Sequence, residues 1–221
     1  SPIRPLFWIF LFLGMNYFIV SRGVSDGIER ASNILMPLLF VILIAFCVRS
    51  LFLPGAKEGL SFLFHPDFSK IDSGVVLRAM GQAFFSLSLG MGTLITYASY
   101  FSDKTSLPKT AVTVASLDTF VAVLAGVIIF PAVFSFGISP SQGPELIFIT
   151  LPNVFQQIPG AYIWSVLFFV LITVAALTST ISLCEVAIAF LHEEFHFTRR
   201  RASQILIFIC LVMSTLCSLS F

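Results

Sequence analysis

The sequence predicts an all-α protein, a polytopic bundle of transmembrane helices. Apolar residues make up 57% of the chain and charged residues only 10%, and the mean hydropathy is +1.01. A soluble domain carries roughly 25% charged residues, so most of these side chains need lipid around them. The apolar residues stand in long runs without sustained alternation, which favours helices over the strands of an outer-membrane barrel.

Six apolar runs are candidate membrane spans, because a spanning helix needs about 20 mostly apolar residues. They cover residues 5–20, 31–53, 79–101, 110–136, 161–191 and 202–221. We expect them to form a single transmembrane domain over residues 1–221. We also expect this domain to be an incomplete, internal piece of a larger bundle, because residue 1 is Ser rather than Met and the last run ends without a polar tail.

The basic residues indicate how the spans are oriented. Those in alternate loops, which the positive-inside rule places in the cytoplasm, are Arg22, Arg30, Lys104, Lys109, Arg199, Arg200 and Arg201. The first span is therefore expected to run from outside to inside. The net charge is only +1 and no basic patch occurs, so no nucleic-acid partner is expected.

The loops between the spans are unequal. Residues 21–30 and 102–109 are predicted to be short cytoplasmic turns, and residues 54–76 a long outer loop. A second outer loop contains an apolar segment bounded by Gly-Pro and Pro-Gly pairs. We expect this segment, residues 145–155, to form a re-entrant or lid-like piece.

The third run has an unusual centre. Small and polar residues are concentrated there, namely Ser86, Ser88, Gly90, Gly92 and Thr93. Each glycine weakens a helix by roughly 1 kcal/mol relative to alanine, and a helix broken at this depth frees backbone groups that must line a cavity or bind a ligand. Close helix packing through small residues explains the pattern equally well, so spacing alone leaves both interpretations open.

Two carboxylates lie deep in the predicted spans. Asp118, in the fourth run, is costly in lipid and is by default a functional residue, although a structural partner or protonation would also account for it. Glu185, in the fifth run, fits a helix-packing hydrogen bond as well as it fits a function.

Hydroxyl side chains cluster in the fifth run, at Thr178, Ser179, Thr180 and Ser182. They can bond back to their own helix, or they can serve as hard oxygen ligands for a small cation. Together with a broken helix and a deep carboxylate, they are consistent with a midplane site for an ion and a solute, because discontinuous helices mark such sites in secondary transporters.

Enzyme and metal signatures do not occur in the sequence. His65, His192 and His196 lack paired ligand spacing, and there is no G-x-S-x-G, H-E-x-x-H or P-loop motif. The four cysteines lack CxxC spacing and are expected to be reduced packing residues. We therefore expect no enzymatic activity.

Six segments carry a family resemblance. They read GVSDGIERASNILMPLLF, LSFLFHPDFSKI, GQAFFSLSLGMGTLITYASYFS, LDTFVAVLAGVIIFPAVFSFG, GPELIFITLPNVF and AALTSTISLCEVAIAF. In this order they resemble the neurotransmitter:sodium symporter family, especially its bacterial amino-acid transporters, and they align the six runs with the family's fourth to ninth helices. The resemblance implies part of a five-plus-five inverted-repeat transporter with a discontinuous helix, located as a multi-pass protein in a bacterial inner membrane.

The resemblance implies roles for residues of the third and fifth runs. The positions that match the substrate pocket are Phe85, Ser88, Met91, Ser179 and Leu183. Gln82 matches an outer-gate residue, while Tyr100 and Glu193 match parts of the cytoplasmic gate. Because the pocket positions are apolar or small, the implied substrate is a hydrophobic amino acid.

The resemblance also implies two sodium sites. The matching positions are Ser86 and Asp118 for the first site, and Ala175, Thr178 and Ser179 for the second. Chloride-dependent relatives carry Asn and Ser at the places of Asp118 and Ala122. A carboxylate beside sodium can do the electrostatic work of the anion, so chloride is expected not to be required.

The function that the resemblance implies is sodium-coupled symport of an amino acid by alternating access. Its partners are sodium ions, the substrate and the lipid bilayer. The resemblance leaves open whether the protein forms a homodimer. Residues 1–221 alone are expected to be inactive. Two alternatives remain, an intramembrane carboxylate protease that uses Asp118 with Glu185, and a non-transporting membrane scaffold.

Overall fold

The described part of the structure is helical. The computed structural model describes residues 3–102, 104–137, 148, 152 and 160–219. The α-helices are α1 (Ile3–Val20), α2 (Arg30–Leu51), α3 (Ala56–Phe64), α4 (Ser73–Ser86), α5 (Thr93–Ala98), α6 (Leu107–Ser135), α7 (Ala161–Glu193) and α8 (Arg199–Leu219). No strand occurs among these residues, and the all-α prediction is confirmed.

Four of the described helical stretches are long and apolar enough to span a membrane. They are Val24–Leu51, Leu107–Ser135, Ala161–Glu193 and Arg199–Leu219, and a shorter apolar helix covers Arg4–Val20. These five stretches overlap five of the predicted runs. The lid-like segment predicted over residues 145–155 lies outside the described residues, apart from residues 148 and 152.

A capping side chain and a proline, rather than hydropathy, determine where two of the helices begin. α4 begins at Ser73 because Asp72 Oδ1 accepts a hydrogen bond from the Val75 N–H at 2.7 Å and caps the helix. α6 begins at Leu107, with Pro108 in its first turn, where no backbone donor is needed. α4 and α6 therefore begin before the third and fourth predicted runs, which start at residues 79 and 110, and the limits of the membrane spans stay predictions.

Two predicted loops contain helical structure. Val24–Glu29, predicted as part of a turn, forms a π-helical segment that leads directly into α2. The predicted outer loop holds α3 and a 3-10 turn over Phe68–Lys70. The sequence predicted these stretches as connections between spans but did not predict their helical segments, because segments this short do not stand out in a search for spans of about 20 apolar residues.

The third apolar run is divided between α4 and α5. The two helices are separated by residues 87–92, where Ser88, Gly90 and Gly92 have φ angles of 54°, 80° and 79°. Of the two interpretations of this run, the broken helix is therefore the correct one. By contrast, α2 and α6 each continue through an internal proline.

The described elements form two compact units. The first unit contains α1, the π-helical segment, α2 as far as Pro37, α5, α7 from Thr173 onward, and α8. The second unit contains the rest of α2, α3, α4, α6 and the beginning of α7. That residues 1–221 form a single domain stays a prediction.

Each unit has its own apolar core. The buried core residues of the first unit are Val20, Ile28, Leu177, Ile181, Cys184, Ile188 and Ala202. Those of the second unit are Ile42, Leu43, Phe46, Cys47, Ile128, Ala132 and Phe168. Cys47 and Cys184 are free thiols inside these cores, as expected of packing residues.

In the second unit, α3 packs closely against α6 through glycine. A Cβ at Gly59 would overlap the backbone of Pro131, and a Cβ at Gly55 would overlap the backbone of Ser135. The Gly55 N–H donates to Ser135 Oγ at 2.8 Å. Since α6 also carries Asp118, this packing fixes the helix on which part of the candidate site is built.

We predict that Gly59→Ala destabilises the complete protein by about 1–3 kcal/mol, the usual cost of overpacking a close contact. The added methyl group has no room beside the Pro131 backbone. The control is Gly81→Ala on α4, where nothing lies within 4 Å of the added Cβ. Thermal unfolding in detergent measures both variants, and equal midpoints would contradict the close packing of α3 on α6.

Candidate functional site

The interruption after α4 begins with a specific helix end. The Leu89 N–H donates to the Phe84 carbonyl at 2.9 Å, and the Ser88 N–H donates to the Phe85 carbonyl at 3.1 Å. This pair of bonds is a Schellman arrangement, in which the residue after the helix cap is left-handed. Ser88 occupies that position with a φ of 54°, where glycine is usually preferred because a Cβ is disfavoured.

Backbone acceptors without helical partners follow this helix end. Within the described part of the chain, the carbonyl oxygens of Ser88 and Leu89 accept no backbone hydrogen bond. α5 then starts from Gly92, where a left-handed φ and the missing side chain let the backbone pass close to Val186. Free carbonyls are costly in lipid unless they line a cavity or bind a polar ligand, so this segment is a candidate binding element.

Asp118 contacts the end of α4 inside the second unit. Ser86 Oγ donates a hydrogen bond to Asp118 Oδ1 at 2.6 Å, and the Asp118 side chain is half-buried. At 1.5 Å per residue, Asp118 lies about 16 Å along α6 from Leu107. Carboxylate and hydroxyl oxygens are ligands of the kind that hard cations take. The structure thus brings together the two residues that match the first sodium site, and the assignment to sodium stays a prediction.

The second predicted ion set lies on one turn of α7. Thr178 Oγ1 donates to the Ala175 carbonyl at 3.0 Å, and Ser179 is exposed beside them. The Thr180 and Ser182 hydroxyls also bond back to carbonyls of α7, at 2.7 Å and 3.2 Å. Back-bonding therefore accounts for three of the four hydroxyls, and a sodium role for this set stays a prediction.

The predicted substrate residues are exposed within their own units. In the second unit, Phe85 is 71% exposed at the end of α4, and Ser88 follows it. In the first unit, Met91 precedes α5 with 41% exposure, while Ser179 and Leu183 lie one turn apart on α7. Their grouping into one pocket stays a prediction.

The predicted gate residues have different surroundings. Gln82 is exposed on α4, and Glu193 is exposed as the last residue of α7. Tyr100 donates its hydroxyl to Glu185 Oε1 at 2.7 Å. Among the hydrogen bonds of the described residues, Tyr100 is therefore tied to Glu185 and none joins it to Glu193.

Glu185 is the centre of a buried polar network in the first unit. Its side chain is 0% exposed, Arg199 Nη1 donates to Oε1 at 2.9 Å, and Arg199 Nη2 donates to Oε2. Paired guanidinium bonds of this kind, with the Tyr100 hydroxyl, satisfy both carboxylate oxygens. The structure supports the packing interpretation of Glu185, as an ion pair rather than a neutral hydrogen bond.

Arg199 also joins other helices of the same unit. It is the first residue of α8, and its Nε donates to the carbonyl of Val20, the last residue of α1, at 3.1 Å. The sequence counted Arg199 only among the cytoplasmic charges. The signal that could have identified it is a basic residue 14 positions after a deep carboxylate, because a buried carboxylate needs a cationic partner.

Comparison with known proteins identifies the family of this chain. The profile of the Sodium:neurotransmitter symporter family matches residues 5–221. The chain belongs to this family. Within the symporter family it is 45% identical over 202 residues to a sodium-dependent transporter of Haemophilus influenzae, a match that covers 91% of this chain and 44% of the relative. It is 40% identical over 203 residues to a sodium-dependent transporter of Bacillus subtilis, covering 92% of this chain and 45% of the relative.

A solved structure shows the same symporter fold. The crystal structure of MhsT in complex with L-phenylalanine matches with a TM-score of 0.87 and 51% sequence identity, over 100% of this chain and 50% of the MhsT chain. The chain therefore spans half, or slightly less than half, of the length of the relatives it matches. The predicted fold class, with its discontinuous helix, is confirmed.

Membership of the symporter family fixes the broad class of the protein. The relatives are sodium-dependent transporters rather than enzymes, so the prediction that the chain is not an enzyme is confirmed. Helices long enough to cross a membrane, together with transporter relatives, make it a multi-pass membrane protein. Because the family consists of sodium symporters, membership of the family implies that the protein uses sodium.

We predict that Arg199→Gln destabilises the complete protein by about 3–5 kcal/mol, because it leaves the buried Glu185 charge without its partner. The double variant Arg199→Gln/Glu185→Gln should lose less than the sum of the two single variants, since it leaves no unpaired ion. Thermal unfolding in detergent gives these free energies. Arg201→Gln, at an exposed position of α8, is the control, with an expected change of about 0.5 kcal/mol or less. Strictly additive losses would contradict the coupling.

Proposed function

We propose that the complete protein is a sodium-coupled symporter that imports a hydrophobic amino acid by alternating access. The observation that carries the proposal is the 2.6 Å contact between Ser86 and Asp118 at the interruption of the third span. Backbone carbonyls without helical partners follow immediately, at Ser88 and Leu89. In secondary transporters, unwound carbonyls and half-helix ends coordinate the coupling cation near the bilayer midplane.

Two sodium ions are proposed to bind. The first takes oxygens of Asp118 and Ser86, and the fixed negative charge of the carboxylate balances the charge of the ion. The second takes the Ala175 carbonyl and the hydroxyls of Thr178 and Ser179. The bond between Thr178 Oγ1 and the Ala175 carbonyl leaves each of those two oxygens with a lone pair that can still face a cation.

The proposed substrate follows from the character of the pocket positions. Phe85, Met91 and Leu183 offer apolar side chains that are exposed within their units, and Ser88 and Ser179 are small and polar. Such a set suits the side chain and the polar groups of a hydrophobic amino acid. The similar MhsT structure holds L-phenylalanine, which supports the same substrate class here.

The coupling between ion and substrate is proposed to act through the end of α4. Ser86, a proposed sodium ligand, lies between Phe85 and Ser88 on the same helix end. An ion that orders this segment lowers the cost of ordering it for the substrate, so each ligand raises the affinity of the other. Alternating access then closes the outer side at Gln82 and opens the inner side around Tyr100 and Glu193.

The two alternative functions have less support. A carboxylate protease needs two carboxylates that share a proton, whereas Glu185 is held in an ion pair by Arg199. A non-transporting scaffold needs no binding of an amino acid, so the binding experiment below separates it from a symporter. Because the chain spans about half of its relatives, transport is proposed for the complete protein, and residues 1–221 alone are expected not to transport.

We predict that Asp118→Asn raises the sodium concentration for half-maximal substrate binding at least about tenfold, equivalent to about 1.4 kcal/mol. The variant removes the charge that balances the ion. Scintillation-proximity binding of labelled leucine, tyrosine, phenylalanine and tryptophan to the complete protein, in sodium against potassium, measures the change. The control is Glu58→Gln, which removes an exposed carboxylate of α3 and should change nothing.

Each outcome of this binding experiment is informative. Unchanged sodium dependence in Asp118→Asn would contradict the first sodium site. If the unaltered protein binds none of these amino acids in sodium, the proposed substrate class is wrong, and a scaffold or a different solute becomes the better interpretation.

Transport is predicted to be independent of chloride. Asp118 and Ala122 lie one turn apart on α6, and the carboxylate supplies the charge that an anion would otherwise provide. Uptake by the complete protein in proteoliposomes should be equal in chloride and in gluconate, whereas Asp118→Asn/Ala122→Ser should become stimulated by chloride. Chloride stimulation of the unaltered protein would refute the assignment.

A further inference from the structure

An apolar groove runs between α1 and α2 in the first unit. Its volume is about 530 Å³, which lies in the range of about 300–1,000 Å³ for pockets that hold small molecules. The lining includes Phe10, Leu11, Gly14 and Phe18 of α1, with Ala31 and Ile34 of α2. These residues define the α1–α2 groove, which has almost no polar lining.

The α1–α2 groove continues into a basic mouth. A second cavity of about 190 Å³ shares Phe18, Ala31 and Ile34 with the groove and adds Arg22 and Arg30, with Asp26 between them. This mouth lies where α1 ends and α2 begins, the side that the positive-inside rule places in the cytoplasm. The apolar groove and the cationic mouth therefore adjoin one another through shared lining residues.

The two arginines of the mouth carry available positive charge. Among the described residues, neither is within 4.0 Å of a carboxylate. The Arg22 guanidinium lies 3.6 Å from the centre of the Phe18 ring, a cation–π contact that holds the charge at the opening. Asp26 offsets one of the two charges, so the mouth keeps a net positive charge that a lone anionic group would complement.

We propose that the α1–α2 groove is a binding site for one anionic phospholipid of the cytoplasmic leaflet. The phosphate group binds Arg22 and Arg30, because guanidinium groups donate paired hydrogen bonds to phosphate oxygens. An acyl chain lies along Phe10, Gly14 and Ile34. The cytoplasmic leaflet is rich in anionic lipids, and basic residues at its surface attract them.

The chemistry of the site favours this occupant over two others. A zwitterionic lipid fills the groove equally well and carries the same phosphate, but its ammonium group is repelled by Arg22 and Arg30, so the net attraction to the mouth is weaker. An apolar segment of the protein fills the groove but leaves Arg22 and Arg30 without an anion. The proposal rests on the groove and its basic mouth together. Neither contains a residue assigned to the transport site, so the proposal does not depend on the proposed transport function.

Photo-cross-linking tests the site in the complete protein, reconstituted in nanodiscs. The probes are phosphatidylglycerol and phosphatidylcholine, each with a diazirine in the middle of an acyl chain, and cross-linked peptides are mapped by mass spectrometry. We expect phosphatidylglycerol to label residues 10–35 about ten times more than phosphatidylcholine does, and Arg22→Gln/Arg30→Gln to remove that preference. Arg201→Gln, an exposed arginine of α8, is the matched control and should keep it.

A second variant tests the acyl part of the site. Gly14 lines the groove and has nothing within 4 Å of an added Cβ, so we expect Gly14→Leu to place its side chain in the groove and to reduce labelling by both lipids. Val41→Phe, at an exposed position of α2 outside the groove, should leave labelling unchanged. Equal labelling by the two lipids, or a preference that survives Arg22→Gln/Arg30→Gln, overturns the proposal. Absence of labelling in the groove of the unaltered protein overturns it as well.

Discussion

A backbone N–H or carbonyl group inside lipid cannot form a hydrogen bond with water. A helix that is interrupted there therefore needs other partners for the backbone groups it frees. In this chain the constraint falls on residues 87–92, between α4 and α5. The N–H groups of Ser88 and Leu89 satisfy two carbonyls of the helix end, and Ser86 is tied to Asp118. The carbonyls just beyond are acceptors with no donor from a helix. Free acceptors that follow two and three residues after the one bonded to Asp118 suit a cation, and the proposed chemistry of the site depends on them.

The two deep carboxylates differ in what surrounds them. Glu185 is fully buried and receives bonds from both Nη atoms of Arg199 and from Tyr100, so a cation of the protein already balances its charge. Asp118 is half-buried and, among the described residues, is bonded to the neutral hydroxyl of Ser86. An anion in a poorly solvated place needs a source of positive charge. Glu185 therefore serves the architecture of its unit, whereas Asp118 has no cationic partner among the described residues, and we propose that a bound ion supplies that charge.

The membrane spans could be predicted from the sequence, but most of the contacts between helices could not. Long apolar runs have few alternatives in lipid, which is why hydropathy identifies α2, α6, α7 and α8. The short helix α3 contains a lysine, a glutamate and a glycine, and its place depends on α6, so no local pattern reveals it. Ser86 and Asp118 are 32 positions apart and Glu185 and Arg199 are 14 apart on different helices, so no helical spacing joins either pair. The first pair came from family resemblance, and the second required the tertiary structure.

Ser88, in the interruption between α4 and α5, has a left-handed backbone conformation although it is not glycine. A left-handed residue other than glycine costs of order 1–3 kcal/mol, and glycine at the same position would avoid most of that cost. The chain uses glycine at Gly90 and Gly92, which also have positive φ angles, but it keeps a hydroxyl at position 88. Among the described residues that hydroxyl has no hydrogen-bond partner, so it does not stabilise the helix end that strains it. We propose that Ser88, a strained residue with an uncommitted hydroxyl beside exposed Phe85, contacts the substrate when it binds, which is how the broken helix would take part in recognition of the solute.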